Sequence, residues 1–355
     1  MRVLLVGEFS GFHNNLKKGL QRIGCEVVLA CSGDGFKNLP FDINIGSNKA
    51  GIPGTIQRIF RALRFVVYAK GFDVVQFVNP NIFPGGFGLN NLLIKLIIKR
   101  NKKTCLAACG DDYAFIKYGC HNMRYNPITD SLRYDFKADT HPLDNLPAKK
   151  WWTELVSKID AVIPVMHEYE LGYKASPKLK PCIPLPVDIA ETAFVDMPAT
   201  EVITILHGDN RYGFKGTRFV EEAFVYLREK YPTQLELVIA GKLPLPEYLA
   251  LMRRSHIVVD QTNSYSCGMN ALYAMAMGKV VLGGAEPEGL VSLGVEESPV
   301  INITPSAQSI IDAVETLLAN RSQLVELGLA SRKFIENYHC SVKIAEKYLD
   351  AWRSI

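Results

Sequence analysis

"SYSCGMNALYAMAMGK", residues 264–279, lies between two apolar runs, "HIVVDQ" (256–261) and "KVVLGG" (279–284). Gly268 marks a turn, and the small and apolar residues after it predict a helix from about Met269 to Met277. Strand, helix and strand in so few residues point to parallel strands joined by a covering helix.

The same alternation runs outward in both directions. Toward the N-terminus come strands at 235–241 and 201–208, with helices at 246–255 and 216–231 between and around them. Toward the C-terminus, helices are expected near 306–319, 322–338 and 341–353. The first 110 residues repeat the plan, with strands "RVLLV" (2–6), "CEVVLA" (25–30), "DVVQFV" (73–78) and "KTCLAAC" (103–109). Helices are expected between them at 13–24, 54–71 and 89–101. Short continuous apolar runs separated by helices mark a parallel sheet covered on both faces. A helix at 151–158 and a strand at 160–166 follow, then "PCIPLPVD" (181–188), whose prolines suit a linker.

A chain of 355 residues exceeds what one hydrophobic core normally serves. The expectation is α/β, with two Rossmann-like domains facing across a cleft. Their bounds are 1–186 and 187–338, and a terminal helix at 339–355 packs back on the first. Residues 111–150 break the rhythm and read as a polar, aromatic-rich binding loop or lid.

Composition narrows the function classes. Hydrophobic content of 48%, charged content of 21% and a net charge of +4 fit an ordinary soluble protein and do not call for nucleic acid. The N-terminus has too short an apolar run for a signal peptide, so a cytoplasmic location is expected. Eight cysteines occur without a C-x-x-C pair, and Cys109, Cys120 and His121 match no zinc spacing, so no metal is expected.

Neither G-x-G-x-x-G nor a P-loop occurs, which argues against a nicotinamide dehydrogenase and a P-loop ATPase. The first turn, "VGEFSGFHNNL", offers Gly11 and His13 at a sheet edge. "LHGDNRYGFKGT" (206–217) leaves a strand and opens a helix, with Gly208, Arg211 and Lys215. Two cations at the carboxyl end of a strand suit a diphosphate. Gly268, Met269 and Asn270 form the matching half, where backbone N–H groups and a helix dipole favour an anion.

On these residues the chain resembles the retaining glycosyltransferases of family 4, which have the GT-B fold. Their C-terminal domain carries G-R-x4-K-G and later E-G-F-G-x-x-x-L-E-A-M-A-x-G; here "GDNRYGFKG" and "YSCGMNALYAMAMG" occupy those places, and "GGAEPE" (283–288) follows. The resemblance implies metal-independent, cofactor-free transfer from a UDP- or GDP-sugar to a saccharide or lipid-linked acceptor, in surface polysaccharide or glycolipid assembly. It assigns the donor diphosphate to Arg211, Lys215, Gly268, Met269 and Asn270. The nucleotide and sugar fall to Tyr265, Tyr273, Gly208 and Glu288. Tyr265 and Tyr273 stand where the family has two glutamates, and Cys109 where it often has histidine.

Acceptor binding is expected in the N-terminal half. Asp111 and Asp112 are the candidates for ordering or deprotonating an acceptor hydroxyl, with Gly11, His13, His121, Arg124 and Tyr125 in neighbouring loops. Residues 54–103 hold nine Lys/Arg and one acid. There Arg58, Arg61 and Arg64, beside Ile59, Phe60 and Phe65, suit an anionic membrane surface. Two other readings remain open: an inactive scaffold that binds a partner transferase or glycan, and a nucleotide-sugar epimerase drawing on Glu286 and Glu288.

Overall fold

A computed structural model describes residues 1–84 and 88–355. The chain separates into two units. The first holds Met1–His121, Pro142–Pro186 and Ser341–Ile355, and the second holds Asn122–His141 and Val187–Cys340.

The first unit is built on β1 (Arg2–Val6), β2 (Glu26–Cys31), β3 (Ile43–Asn44), β4 (Val74–Phe77), β5 (Lys103–Ala108) and β6 (Ala161–Pro164). All pairings are parallel, in the order β3-β2-β1-β4-β5-β6. Val3 to Val6 and every residue of β4 are buried, which only a sheet covered on both faces requires. The order reverses between β1 and β4, so ligands in such a fold are expected beyond those two strand ends.

The second unit carries β7 (Ile203–Gly208), β8 (Leu235–Ala240), β9 (Ile257–Val259), β10 (Val280–Gly283) and β11 (Ile301–Asn302), all parallel, in the order β11-β10-β9-β7-β8. Its core joins Ile203 and Ile205 of β7, Ile257 and Val259 of β9, and Val280 and Leu282 of β10 to Val220 and Phe224 of the helix Thr217–Lys230. Full burial of one such side chain stabilises by roughly 1.5–3 kcal/mol. Here the order reverses between β7 and β9.

The α/β class with two parallel sheets matches the expectation, and the long strands fall within two residues of their predicted places. The stretch 111–150 differs. It is wound into turns of helix at Phe115–Gly119, Cys120–Asn122, Pro127–Ser131 and Leu132–Phe136, with a longer helix at Leu146–Lys158. Asn126 starts one of these by accepting the N–H groups of Ile128 and Thr129, with Pro127 in the first turn. Two of the turns are π-type, so no 3.6-residue period betrays them.

The helix Gly51–Tyr68 buries Gly54, Ala62, Phe65 and Val66. Phe65, expected on a docking face, therefore belongs to the core. Outward it presents Ile52, Ile56, Phe60, Leu63 and Val67, each at least 48% exposed. Among the described residues no helix is long and apolar enough to cross a membrane.

Candidate functional site

The carboxyl ends of β7 and β9 gather most of the donor candidates. Gly208 ends β7, and a Cβ there would lie 2.2 Å from the hydroxyl oxygen of Tyr248. Glycine is what lets that phenol close over the strand end. The Tyr248 hydroxyl donates to Asn270 Oδ1 at 2.7 Å. Lys215 ends the short helix Tyr212–Lys215 and makes an ion pair with Asp260 at 3.0 Å. Asp260, the residue after β9, also accepts Asn270 Nδ2 at 3.0 Å and the Gly268 N–H at 3.2 Å.

The sequence reading missed Asp260, hidden in an apolar strand pattern, and missed Tyr248. Burial works to raise the Asp260 pKa. The Lys215 ammonium and the hydrogen bonds from Asn270, Lys215 and Gly268 outweigh it and hold the group below the ordinary carboxylate range. The structure thus brings Lys215, Gly268 and Asn270 together, around an internal anion. The Arg211 guanidinium lies 3.8 Å over the Phe214 ring. Met269 and Tyr273 are buried in the helix Met269–Ala276.

His207, just before Gly208, is a scaffold residue. Its Nδ1 faces Val259 O at 3.0 Å and its Nε2 faces the Thr217 hydroxyl at 2.9 Å, tying β7 to β9 and to the following helix. Burial, with Lys215 nearby, lowers its pKa to about 4, so the ring is neutral.

A second cluster surrounds Tyr265. Its hydroxyl accepts the backbone N–H of Arg124 at 2.6 Å, and the Arg124 guanidinium lies 4.7 Å over its ring. That guanidinium bridges Glu286 and Glu288. Glu286 further accepts the Tyr125 hydroxyl at 2.7 Å and Asn302 Nδ2 at 2.9 Å. Arg124 and Tyr125, expected on the acceptor side, sit in the second unit because Asn122–His141 folds there. Two more carboxylates hold that segment. Asp130 pairs with Arg218 at 2.8 Å, and Asp135 accepts the N–H groups of Gly213 and Phe214 at 2.9 and 3.0 Å.

In the first unit, the remaining acceptor-side candidates divide. Asp112 is 1% exposed; its carboxylate accepts the Phe115 N–H at 2.8 Å and the Tyr173 hydroxyl at 2.6 Å. Burial raises its pKa to about 6 against those bonds. It is a helix-starting cap, as strand-exit aspartates commonly are. Asp111 is half-buried, and its carbonyl accepts Asn79 Nδ2 at 3.1 Å.

His13 is fully buried, with Nδ1 at 2.7 Å from Gly7 O and Nε2 at 3.3 Å from the Gln76 amide. Burial lowers its pKa to about 4, so it is a neutral core group. Gly11 takes φ +95° at the start of the helix Phe12–Arg22 and donates its N–H to Glu8 at 3.1 Å. Glu8, unnoticed in the sequence, also accepts the N–H groups of His13 and Asn14 and the Asn14 side chain. Burial raises its pKa to about 7 despite those donors. His121 is exposed.

Cys109 and Cys120 are buried thiols that burial pushes well above their usual range. Among the described residues no group of three or more His, Cys, Asp or Glu could hold a metal ion.

No protein-family model matches the sequence, and no curated protein is similar to it. Solved structures are. Sucrose-phosphate synthase from Thermosynechococcus elongatus superposes with a TM-score of 0.65 at 14% identity, over 100% of this chain and 99% of that one. HepE of Anabaena, in complex with UDP-glucose, does so with a TM-score of 0.63 at 13% identity, over 100% of both chains. MnaA of S. aureus, in a co-structure with UDP, matches with 0.57 at 12% identity, over 99% and 96%. Identities this low establish architecture, and the chain has the two-sheet α/β fold of the GT-B class.

Proposed function

We propose that the chain is a retaining, metal-independent glycosyltransferase. It takes a UDP- or GDP-sugar as donor and a saccharide or lipid-linked saccharide as acceptor, in surface polysaccharide or glycolipid assembly. The observation that carries this reading is the convergence of Lys215, Gly268, Asn270 and Tyr248 at the switch point of the second sheet, where ligands of such sheets bind. A fold shared with a protein crystallised with UDP-glucose supports it.

In this reading Arg211 and Lys215 stabilise the departing diphosphate, and cations with N–H donors supply most of what that step needs. The nucleotide sugar is assigned to the neighbourhood of Gly208, Tyr265 and Tyr273, with both tyrosines acting from buried positions. Asp111, half-buried just past β5, is the acceptor-side candidate we retain; Asp112 is nearly fully buried. The exposed apolar stripe from Ile52 to Val67, with Arg58 and Arg64 exposed beside it, is assigned to an anionic membrane surface on the cytoplasmic side.

The test is calorimetric titration with UDP, GDP and their sugars, with mass spectrometry of donor consumption. Binding that disappears in the Arg211→Ala, Lys215→Ala double variant, together with turnover, is expected. Binding without turnover against any acceptor would favour an inactive scaffold, a reading supported by Arg124 engaging both Glu286 and Glu288. That pairing also weighs against an epimerase, whose acid and base would be those two groups.

A further inference from the structure

Asp260 has no part in the function proposed above, yet it holds the donors that function needs. Its carboxylate is 1% exposed and accepts from Lys215 Nζ, Asn270 Nδ2 and the Gly268 N–H, all within 3.2 Å. The three donors come from different places: the end of the helix after β7, the turn before the helix Met269–Ala276, and that helix's first turn. Tyr248 adds a fourth group by fixing the Asn270 amide from its oxygen side.

A phosphate oxygen makes the same demand on N–H donors that a carboxylate oxygen does. A phosphate sharing the Lys215 ammonium would come within about 5 Å of Asp260. At an effective dielectric constant of about 20, repulsion at that distance corresponds to a loss on the order of a hundredfold in affinity. The loss of one orienting hydrogen bond is a smaller effect, roughly tenfold. Electrostatics therefore decides the sign.

We propose that Asp260 is an internal anion that occupies the diphosphate donors and sets the affinity of the site for phosphate. The proposal rests on the nucleotide-sugar reading. A diphosphate must take Lys215 over from Asp260 rather than meet an unengaged cation. The effect is to keep the affinity for the diphosphate group low.

The experiment titrates wild type and Asp260→Asn with inorganic pyrophosphate and with UDP, in EDTA, and checks folding by circular dichroism. Asp260→Asn is expected to bind pyrophosphate at least tenfold more tightly than wild type, and adding Lys215→Met should abolish the gain. Asp260→Ser removes the charge with a smaller demand on shape and should show the same gain, which covers misfolding of the first variant.

Equal or weaker binding by a folded variant would overturn the proposal, since Asp260 would then merely hold the donors in place. Absence of binding to every protein would overturn it too, as would wild-type binding that needs magnesium. Tighter pyrophosphate binding without turnover of any nucleotide sugar would leave this inference standing and remove the transferase. UDP binding with turnover but no gain in the variants would do the reverse.

Discussion

The backbone N–H of Arg124 donates to the Tyr265 hydroxyl at 2.6 Å while the Arg124 guanidinium covers the same ring at 4.7 Å. One residue thus grips a tyrosine by its polar end and by its face. Tyr265 is 2% exposed. Tyr265→Phe leaves a part-buried backbone donor unmatched, so a loss of about 0.5–1.5 kcal/mol is expected. Urea unfolding measures it; an unchanged midpoint would mean that water replaces the phenol.

The contact of Asn122–His141 with the loop after β7 depends on Gly213. A Cβ there would lie 2.3 Å from the Asp130 carbonyl oxygen and 2.8 Å from the Ser131 Cα. Both are backbone atoms, so Gly213→Ala must shift the helix Pro127–Ser131, at an expected cost of about 1–3 kcal/mol. Limited proteolysis should cut within 122–141 several times faster than in wild type. Equal cutting rates would show that the helix shifts without loosening.

Glu8 gives a pH signature. Its folded pKa is raised to about 7 from an ordinary 4.5, so the folded state binds the proton more tightly than the unfolded one. Its contribution is fully present below about pH 4.5 and is lost as pH rises through about 7, on the order of 3 kcal/mol. Asp112, raised to about 6, acts in the same sense. His13 and His207, lowered to about 4, oppose both, because protonating them favours the unfolded chain below about pH 6.5. The comparison that isolates Glu8 is Glu8→Gln against wild type. The difference in stability between them should change steadily from pH 4.5 to 7, and a flat difference would assign Glu8 an ordinary pKa.

The stripe Ile52, Ile56, Phe60, Leu63 and Val67 predicts flotation with anionic vesicles. Each of Ile56→Ser and Phe60→Ser should lower the partition constant by about ten- to a hundredfold, as loss of roughly 1.5–3 kcal/mol of apolar burial implies. Replacing Arg58 and Arg64 by Gln should reduce the preference for anionic over zwitterionic lipid. A self-associating protein that ignores vesicles would assign the stripe to a second copy instead.

Strands buried on both faces write themselves as apolar runs, so β1, β4, β7 and β10 could be read from sequence. β3 and β11, two residues each, carry no such run. The helix Pro287–Leu293 hid behind its proline and glycine, and only the first-turn Pro287 and Glu288 hint at its start. That Lys215, Gly268 and Asn270 gather in one place was legible, because each lies in the loop or first helical turn beyond a strand's carboxyl end. Asp260 was not, because nothing local shows what a carboxylate at the end of an apolar strand will face. Arg124 was read with its sequence neighbours, and chain order does not say that twenty residues will fold into the other unit.

That excursion also bears on how the molecule is made. The first unit is written in three pieces, and its last, Ser341–Ile355, packs on the helix Phe12–Arg22 so closely that a Cβ on Gly19 would lie 2.0 Å from Ser341 O. Tyr348 and Trp352, both fully buried, arrive with that piece. During synthesis the face around Phe12 therefore stays uncovered until Ser341–Ile355 has been made. A fragment ended at Pro186 would keep the whole first sheet and still expose that face.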